Sequence, residues 1–197
     1  MMRRMFAFLF AITVGTVLAG CMTTSQFMTA KSQTARNDVF SEADVKGAIP
    51  NGYADLEISA SIKTHTEGFY PLESRDSLHG KKGYPFVLNI DGQAVVWKVD
   101  GREETIPIHF EKGGRNPEGG TGVKYEIQKK IRLAAGTHRV FFGLPTEDSY
   151  REFDVKFKED RCYALMFEPV YKKQRRVTRR FLNGLDWLEK DMTETCR

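Results

Sequence analysis

The sequence predicts an all-β protein: a mostly antiparallel β-sandwich of about eight strands, with a possible short C-terminal helix. Three observations carry this expectation. Apolar residues recur at a period of two in segment after segment, turn-forming pairs punctuate those segments, and no long stretch shows a helical period.

The alternation begins at Tyr53. Leu56, Ile58, Ala60 and Ile62 interleave with Asp55, Glu57, Ser59, Ser61 and Lys63, as in a strand with one buried face. The same pattern returns in Phe86, Leu88 and Ile90, in Ile106, Ile108 and Phe110, and in Val123, Tyr125 and Ile127 continuing to Ile131 and Leu133. It returns again in Phe153, Val155 and Phe157, and in Tyr163, Leu165 and Phe167. Residues 94–99 (AVVWKV) and 137–144 (THRVFFGL) are apolar with less clean alternation, as central strands often are. Asp91-Gly92, Asp100-Gly101, Ala135-Gly136 and Glu159-Asp160 supply turns between them. Residues 65–84 and 111–122 have no period and read as long loops. Ser41-Glu42-Ala43-Asp44 resembles a helix start that Gly47 and Pro50 would stop within two turns. At the C-terminus Val177, Phe181, Leu185, Leu188 and Met192 fit a helical stripe, but Asn183-Gly184 interrupts it. The compromise is an extended segment to Leu182, a turn, then a short helix capped by Asp186 with Glu189.

The N-terminus carries an address. Met1-Met2-Arg3-Arg4 is a positive start, and Phe6–Leu18 is an uncharged apolar run too short to span a bilayer, which takes roughly 20 residues. Leu18-Ala19-Gly20-Cys21 then resembles the lipobox of bacterial lipoproteins at all four positions. The thiol is the nucleophile that takes the diacylglycerol group, and small residues before it admit the peptidase. The resemblance implies cleavage after Gly20 and acylation of Cys21, with two or three acyl chains making a firm anchor. Residue 22 is Met rather than Asp, which points to the outer membrane. Residues 1–20 are thus expected to be a signal peptide, 21–50 a lipidated N-terminus with a flexible tether, and 51–197 one sandwich domain with a C-terminal extension. A flexible segment as long as 22–37 would span on the order of 20–25 Å.

Charge narrows the partners. The chain has 30 Lys+Arg and 26 Asp+Glu; without Arg3 and Arg4, 28 basic residues remain. Residues 172–180 (KKQRRVTRR) hold six of them, so the basic character is local, unlike the broad face of a nucleic-acid binder. This run, with Lys172, Lys173, Arg175, Arg176, Arg179 and Arg180, reads in two ways. It could contact anionic head groups or a partner, or it could protect a sheet edge from pairing. With Cys21 acylated, Cys162 and Cys196 remain as an even pair in an exported chain, which suggests a disulfide; a buried free Cys162 with a loose tail is the alternative.

"NIDGQ" (89–93) and "LAAGTHRV" (133–140) resemble parts of the PEGA-type and related transthyretin-like modules of envelope proteins. Leu133, Gly136, His138 and Val140 match the second element, with Ala135 where that family has proline. The resemblance covers about residues 86–168 and implies a noncatalytic sandwich, immunoglobulin-like or transthyretin-like. His138 alternates with Val140 and Phe142 and reads as a packed strand histidine. His65, His79 and His109 are scattered without metal-ligand spacing, and no cofactor signature is present. "SRDSLHG" (74–80) sets Ser77 near Asp76 and His79, but local adjacency does not make a triad. The glycine-rich 113–122 stretch has no phosphate-loop signature, and Asp91 and Asp100 serve turns rather than calcium. The expectation is a membrane-anchored envelope lipoprotein acting as a noncatalytic binding or assembly module for an envelope protein or glycan. An envelope hydrolase using the 65–84 loop, or an accessory subunit of a secretion complex, is the alternative. Convergent polar groups in a pocket would favour the enzyme.

Overall fold

The structure is a computed structural model that describes residues 23–42, 47–174 and 179–195. Residues 1–22, which include Cys21 and the expected signal peptide, lie outside the described residues, as do Ala43 and Asp44 of the expected helix start, Arg175, Arg176 and Cys196.

Among the described residues one helix, α1 (Thr24–Lys31), precedes ten strands: β1 (Phe40–Ser41), β2 (Tyr53–Thr64), β3 (Tyr84–Ile90), β4 (Gln93–Val99), β5 (Arg102–Ile106), β6 (Gly120–Ala134), β7 (Gly136–Leu144), β8 (Ser149–Phe157), β9 (Arg161–Tyr171) and β10 (Leu185–Glu194). Single 3₁₀ turns follow β7 (Pro145–Glu147) and precede β10 (Arg180–Asn183). The first sheet runs β6-β2-β9-β10, with β1 and β5 both paired to β6; the second runs β4-β3-β7-β8. All neighbours are antiparallel except β2 and β9, which share an edge in parallel because the whole second sheet intervenes between them in sequence. The architecture is the expected all-β sandwich.

Alternation builds its core. Leu56, Ile58 and Ile62 from β2, Phe86, Leu88 and Ile90 from β3, and Leu165 and Phe167 from β9 are all buried between the sheets. Phe142 stacks on Phe167 with ring centroids 4.0 Å apart, tying β7 to β9 across the interior. The chain changes sheets at Gly101, where a Cβ would lie 2.3 Å from Val123. Only glycine permits that corner.

Several expectations are corrected. The strand predicted around Ile106 ends there: Ile108 and Phe110 lie in the following loop, and Phe110 is exposed. The 94–99 strand is an edge rather than a central strand. The predicted C-terminal helix is instead strand β10, paired with β9 along its length with a bulge between Leu185 and Trp187. A spacing of four satisfies both a helical and a two-residue period, so Leu188 and Met192 fit either; an open edge on β9 decides for the strand.

The expected tether is also corrected in its described part. Thr23 caps α1 through a reciprocal bond with Gln26. Met28 is buried against Val87 and Phe141 on the outer face of the second sheet. Phe27 packs on Phe141 and Tyr150. Asn89 Nδ2 donates to the Lys31 carbonyl at 2.8 Å, and Ala35 N–H donates to the Gly92 carbonyl at 2.8 Å. The helix therefore runs down the sheet from the end where β7 finishes toward the β3–β4 turn. It also explains why β3 and β7 are apolar on both faces.

Candidate metal centre

The two ends of the sandwich differ in their connections. At one end lie residues 65–83, 107–119, 145–148, 172–174 and 179–184; at the other lie the tight turns at Asp91-Gly92, Ala135 and Glu159-Asp160. The long connections assemble a cluster of donors around the end of β2.

β2 continues beyond its last core residue, so Lys63, Thr64 and His65 are buried by the loops that close over them. The 65–83 segment folds back on itself at Gly80, whose φ is +73° and whose Cβ would lie 2.1 Å from the Glu67 backbone nitrogen. Gly80 N–H donates to Thr64 Oγ1 at 3.2 Å. This close return sets His79 against His65. Turns closed by Glu73 N–H to Tyr70 carbonyl and Ser77 N–H to Ser74 carbonyl bring Glu73 to the same point. The 3₁₀ turn after β7 delivers Glu147 from the second sheet.

His65 Nε2, His79 Nδ1 and Glu73 Oε1 then form a triangle with edges of 3.1, 3.2 and 3.5 Å. The remaining nitrogen of each ring is fixed. His65 Nδ1–H donates to the Thr66 carbonyl at 3.0 Å, and His79 Nε2–H donates to Glu147 Oε1 at 2.7 Å. Tyr84 hydroxyl donates to the same Glu147 oxygen at 2.8 Å. In their neutral forms both imidazoles therefore aim a lone pair at the Glu73 carboxylate. Such a triangle is closed either by a proton or by a cation.

For His79, burial disfavours the imidazolium, but the bond to Glu147 and the charges of Glu147 and Glu73 outweigh it, and its pKa lies above 6.5. Burial, reinforced by the Glu147 carboxylate, drives the Tyr84 phenol well above 10, so it stays a donor. The cluster lines a cavity of about 300 Å³ walled by Tyr70, Tyr171, Phe181 and Leu185. Tyr70 hydroxyl donates to the Leu182 carbonyl at 3.1 Å, joining the 65–83 loop to the 3₁₀ turn before β10. A larger depression of about 470 Å³ lies on the outer face of the first sheet over Ser59, Gln128 and Met166, away from the donor cluster.

Lys63 holds the adjoining wall. Its Nζ donates to the carbonyls of Glu118 and Gly120 at 2.9 and 2.8 Å and pairs with Glu104 at 3.2 Å. Tyr171 hydroxyl donates to Glu118 at 2.9 Å while accepting the Lys63 backbone N–H at 2.8 Å. The glycine-rich loop is thus pinned by its own carbonyls.

Apart from His65 and His79, the residues singled out in the sequence take no part in the donor triangle. His138 bonds Asp91 Oδ2 at 2.7 Å and the Ala134 carbonyl at 2.9 Å, so the two resembling segments meet through a histidine with both nitrogens engaged. His109 is exposed in a loop bridge to Arg115. Ser77 hydroxyl donates to Glu73, and its oxygen accepts the His79 backbone N–H rather than facing the ring, so no triad forms. Lys172 and Lys173 are exposed, and Arg179 and Arg180 half-buried, at the long-loop end. Cys162 lies at the opposite end, where Thr195 N–H donates to its carbonyl at 2.9 Å.

Local spacing contains no sign of the His65–Glu73–His79 cluster. The two histidines are 14 residues apart within a loop without period. Its one legible trace is two histidines in an aperiodic loop framed by strands. No family model matches the chain, and no curated protein matches it.

Proposed function

We propose that the chain is a lipid-anchored protein of the bacterial cell envelope whose sandwich is a binding module for a zinc-class divalent cation, held by His65, Glu73 and His79. The donor triangle carries this reading. Tetrahedral coordination with bonds of 2.0–2.2 Å places donors about 3.3–3.6 Å apart, and the three edges of 3.1, 3.2 and 3.5 Å lie within about 0.2 Å of that range. Two imidazoles and a carboxylate suit zinc and its neighbours better than the all-oxygen preference of magnesium or calcium. The second contacts fit as well: a metal-bound histidine ordinarily donates its other N–H to a carboxylate or carbonyl, as His79 and His65 do.

The test uses the unlipidated Cys21→Ser chain stripped with chelator and titrated with zinc against a competing indicator. One equivalent should bind, His79→Ala should abolish that site, and Glu147→Gln should weaken it by about 10–100-fold. No zinc binding, or binding unaltered by both substitutions, would leave the proton-bridged cluster as the correct reading. A hydrolytic use of the ion is the second reading, favoured by the cavity, which leaves room beside three donors for a water. Zinc-dependent ester or amide hydrolysis lost in Glu73→Gln would establish it.

Anchoring at Cys21 and the outer-membrane destination rest on the lipobox resemblance. Unprocessed precursor in Cys21→Ser cells, and detergent partition of the wild type, test them. The Cys162–Cys196 bridge is part of the same proposal. Support comes from the Thr195–Cys162 backbone bond, from the Arg161–Glu194 ion pair at 3.3 Å, and from the engagement of Cys162.

A further inference from the structure

We infer that the long-loop end of the sandwich faces the lipid surface, with the Phe69–Leu72 tip entering the interface and Lys172, Lys173, Arg179 and Arg180 facing anionic head groups. The inference rests on the proposed acylation of Cys21.

The direction of α1 orients the domain. The helix packs beside the 3₁₀ turn that carries Glu147, and Phe27 in its first half contacts Tyr150 at the start of β8. Its last residue, Lys31, lies further down the sheet, with Glu152 and Asn89. Thr23 is thus at the long-loop end, two residues after Cys21. Two residues of chain reach at most about 7 Å. A lipid attached there holds this end, not the far one, against the bilayer.

The surface at this end fits that neighbour. Tyr70 to Glu73 is a hydrogen-bonded turn with Pro71 and Leu72 at its apex. Leu72 is 99% exposed, and Phe69 and Tyr70 flank it at 42% and 43%. Single exposed apolar residues are ordinary. Three on one tip, where the anchor emerges, match the apolar and aromatic residues that settle at a membrane interface. In the same loop Arg75, Lys81 and Lys82 balance Glu67, Glu73 and Asp76. The basic surplus at this end therefore comes from the segment between β9 and β10, and each such residue near an anionic surface is worth about 1 kcal/mol. The donor cluster, which lies between this loop and that segment, would open beside the membrane.

The lipidated full chain is reconstituted into vesicles of phosphatidylethanolamine and phosphatidylglycerol at about three to one, carrying a p-benzoylphenylalanine photocrosslinker in place of Leu72 or, separately, of Tyr53. Tyr53 is the control because it is 45% exposed at the opposite end. Irradiation should give at least about tenfold more lipid adduct from position 72 than from position 53, and Lys172→Gln, Lys173→Gln, Arg179→Gln and Arg180→Gln together should lower that yield. Protein that floats with the vesicles yet labels lipid equally from both positions overturns the orientation while leaving the anchor intact. Protein that does not float at all removes the anchor, and the orientation with it.

Discussion

The two ends of this sandwich are built by different physics. At the far end the chain reverses within a few residues. Asp91, at φ 48°, and Gly92, at φ 92°, make the β3–β4 turn, and Asp160, at φ 55°, helps make the β8–β9 turn. Side chains there serve the backbone: Asp91 accepts the Arg139 N–H at 2.8 Å and holds His138. At the other end the described parts of three long connections, 65–83, 107–119 and 172–184, lie outside the strand ladders, and buried polar side chains take the ladder's place. Lys63 holds one loop by its carbonyls, Tyr70 holds another to the segment before β10, and Glu147 ties the turn after β7 to the 65–83 loop through His79 and to β3 through Tyr84. A short turn is closed by local geometry and leaves nothing over. A long one must be closed by side chains from elsewhere, and those converging groups are what chemistry can use.

That contrast breaks most severely if the shared frame is lost. Ile58 is fully buried at the centre of β2, so Ile58→Asp should cost several kcal/mol and unfold both ends together, whereas Glu57→Lys on the outer face should shift stability by less than about 1 kcal/mol. Equal shifts in thermal melts would show that β2 is not half-buried.

The far end alone should respond to reduction. If Cys162 and Cys196 are bridged, they close a loop of about 35 residues, worth at most about 4 kcal/mol in the chain-entropy account. Cys162→Ser should then lower the melting temperature and raise hydrogen exchange in β10 while leaving the 65–83 loop protected. Alkylation of both thiols without reductant would exclude the bridge.

The opposite end should respond to Lys63. Lys63→Ala orphans the carbonyls of Glu118 and Gly120 and unpairs Glu104, at a cost of about 2–4 kcal/mol. Limited proteolysis should cut within 107–119 before any global unfolding. A variant as resistant as wild type would mean that the loop is held by other contacts.

The smallest effect is a pH dependence near the far end. Burial opposes ionisation of Asp55, but bonds from Arg132 at 2.7 and 3.1 Å, with Lys130 at 3.3 Å, hold its pKa below 3.8. Its folded pKa is lowered, so this stability is present above the unfolded pKa and is lost as pH falls through the folded one. Denaturant titrations below about pH 4 should therefore show a shallower acid decline for Asp55→Asn than for wild type. Parallel declines would mean that the pair contributes nothing.

Asp55 and Lys63 also mark the limit of pattern reading. Both sit at polar positions of the β2 alternation, and both are buried in the folded chain. Alternation assigns residues to two faces and is blind to what later covers the outer one. Here Arg132 from β6 covers Asp55, and the 107–119 loop with Phe181 covers Lys63. The core positions were legible because burial between sheets demands period two without exception along β2. The C-terminal segment was not, because apolar residues four apart satisfy two periods at once, and the choice belonged to β9.

Backbone chemistry and periodicity thus determined, from the sequence alone, an all-β sandwich, most of its strands, its tight turns and the approximate positions of two of its long loops. These are local properties, fixed by φ preference and by which side of a strand a residue occupies. The tertiary structure decided that β2 and β9 run in parallel, that residues 24–31 form a helix on the second sheet, and that His65, Glu73, His79 and Glu147 meet. Each of these joins chain segments whose separation leaves no local trace. Contact between them depends on which surfaces the rest of the fold leaves open.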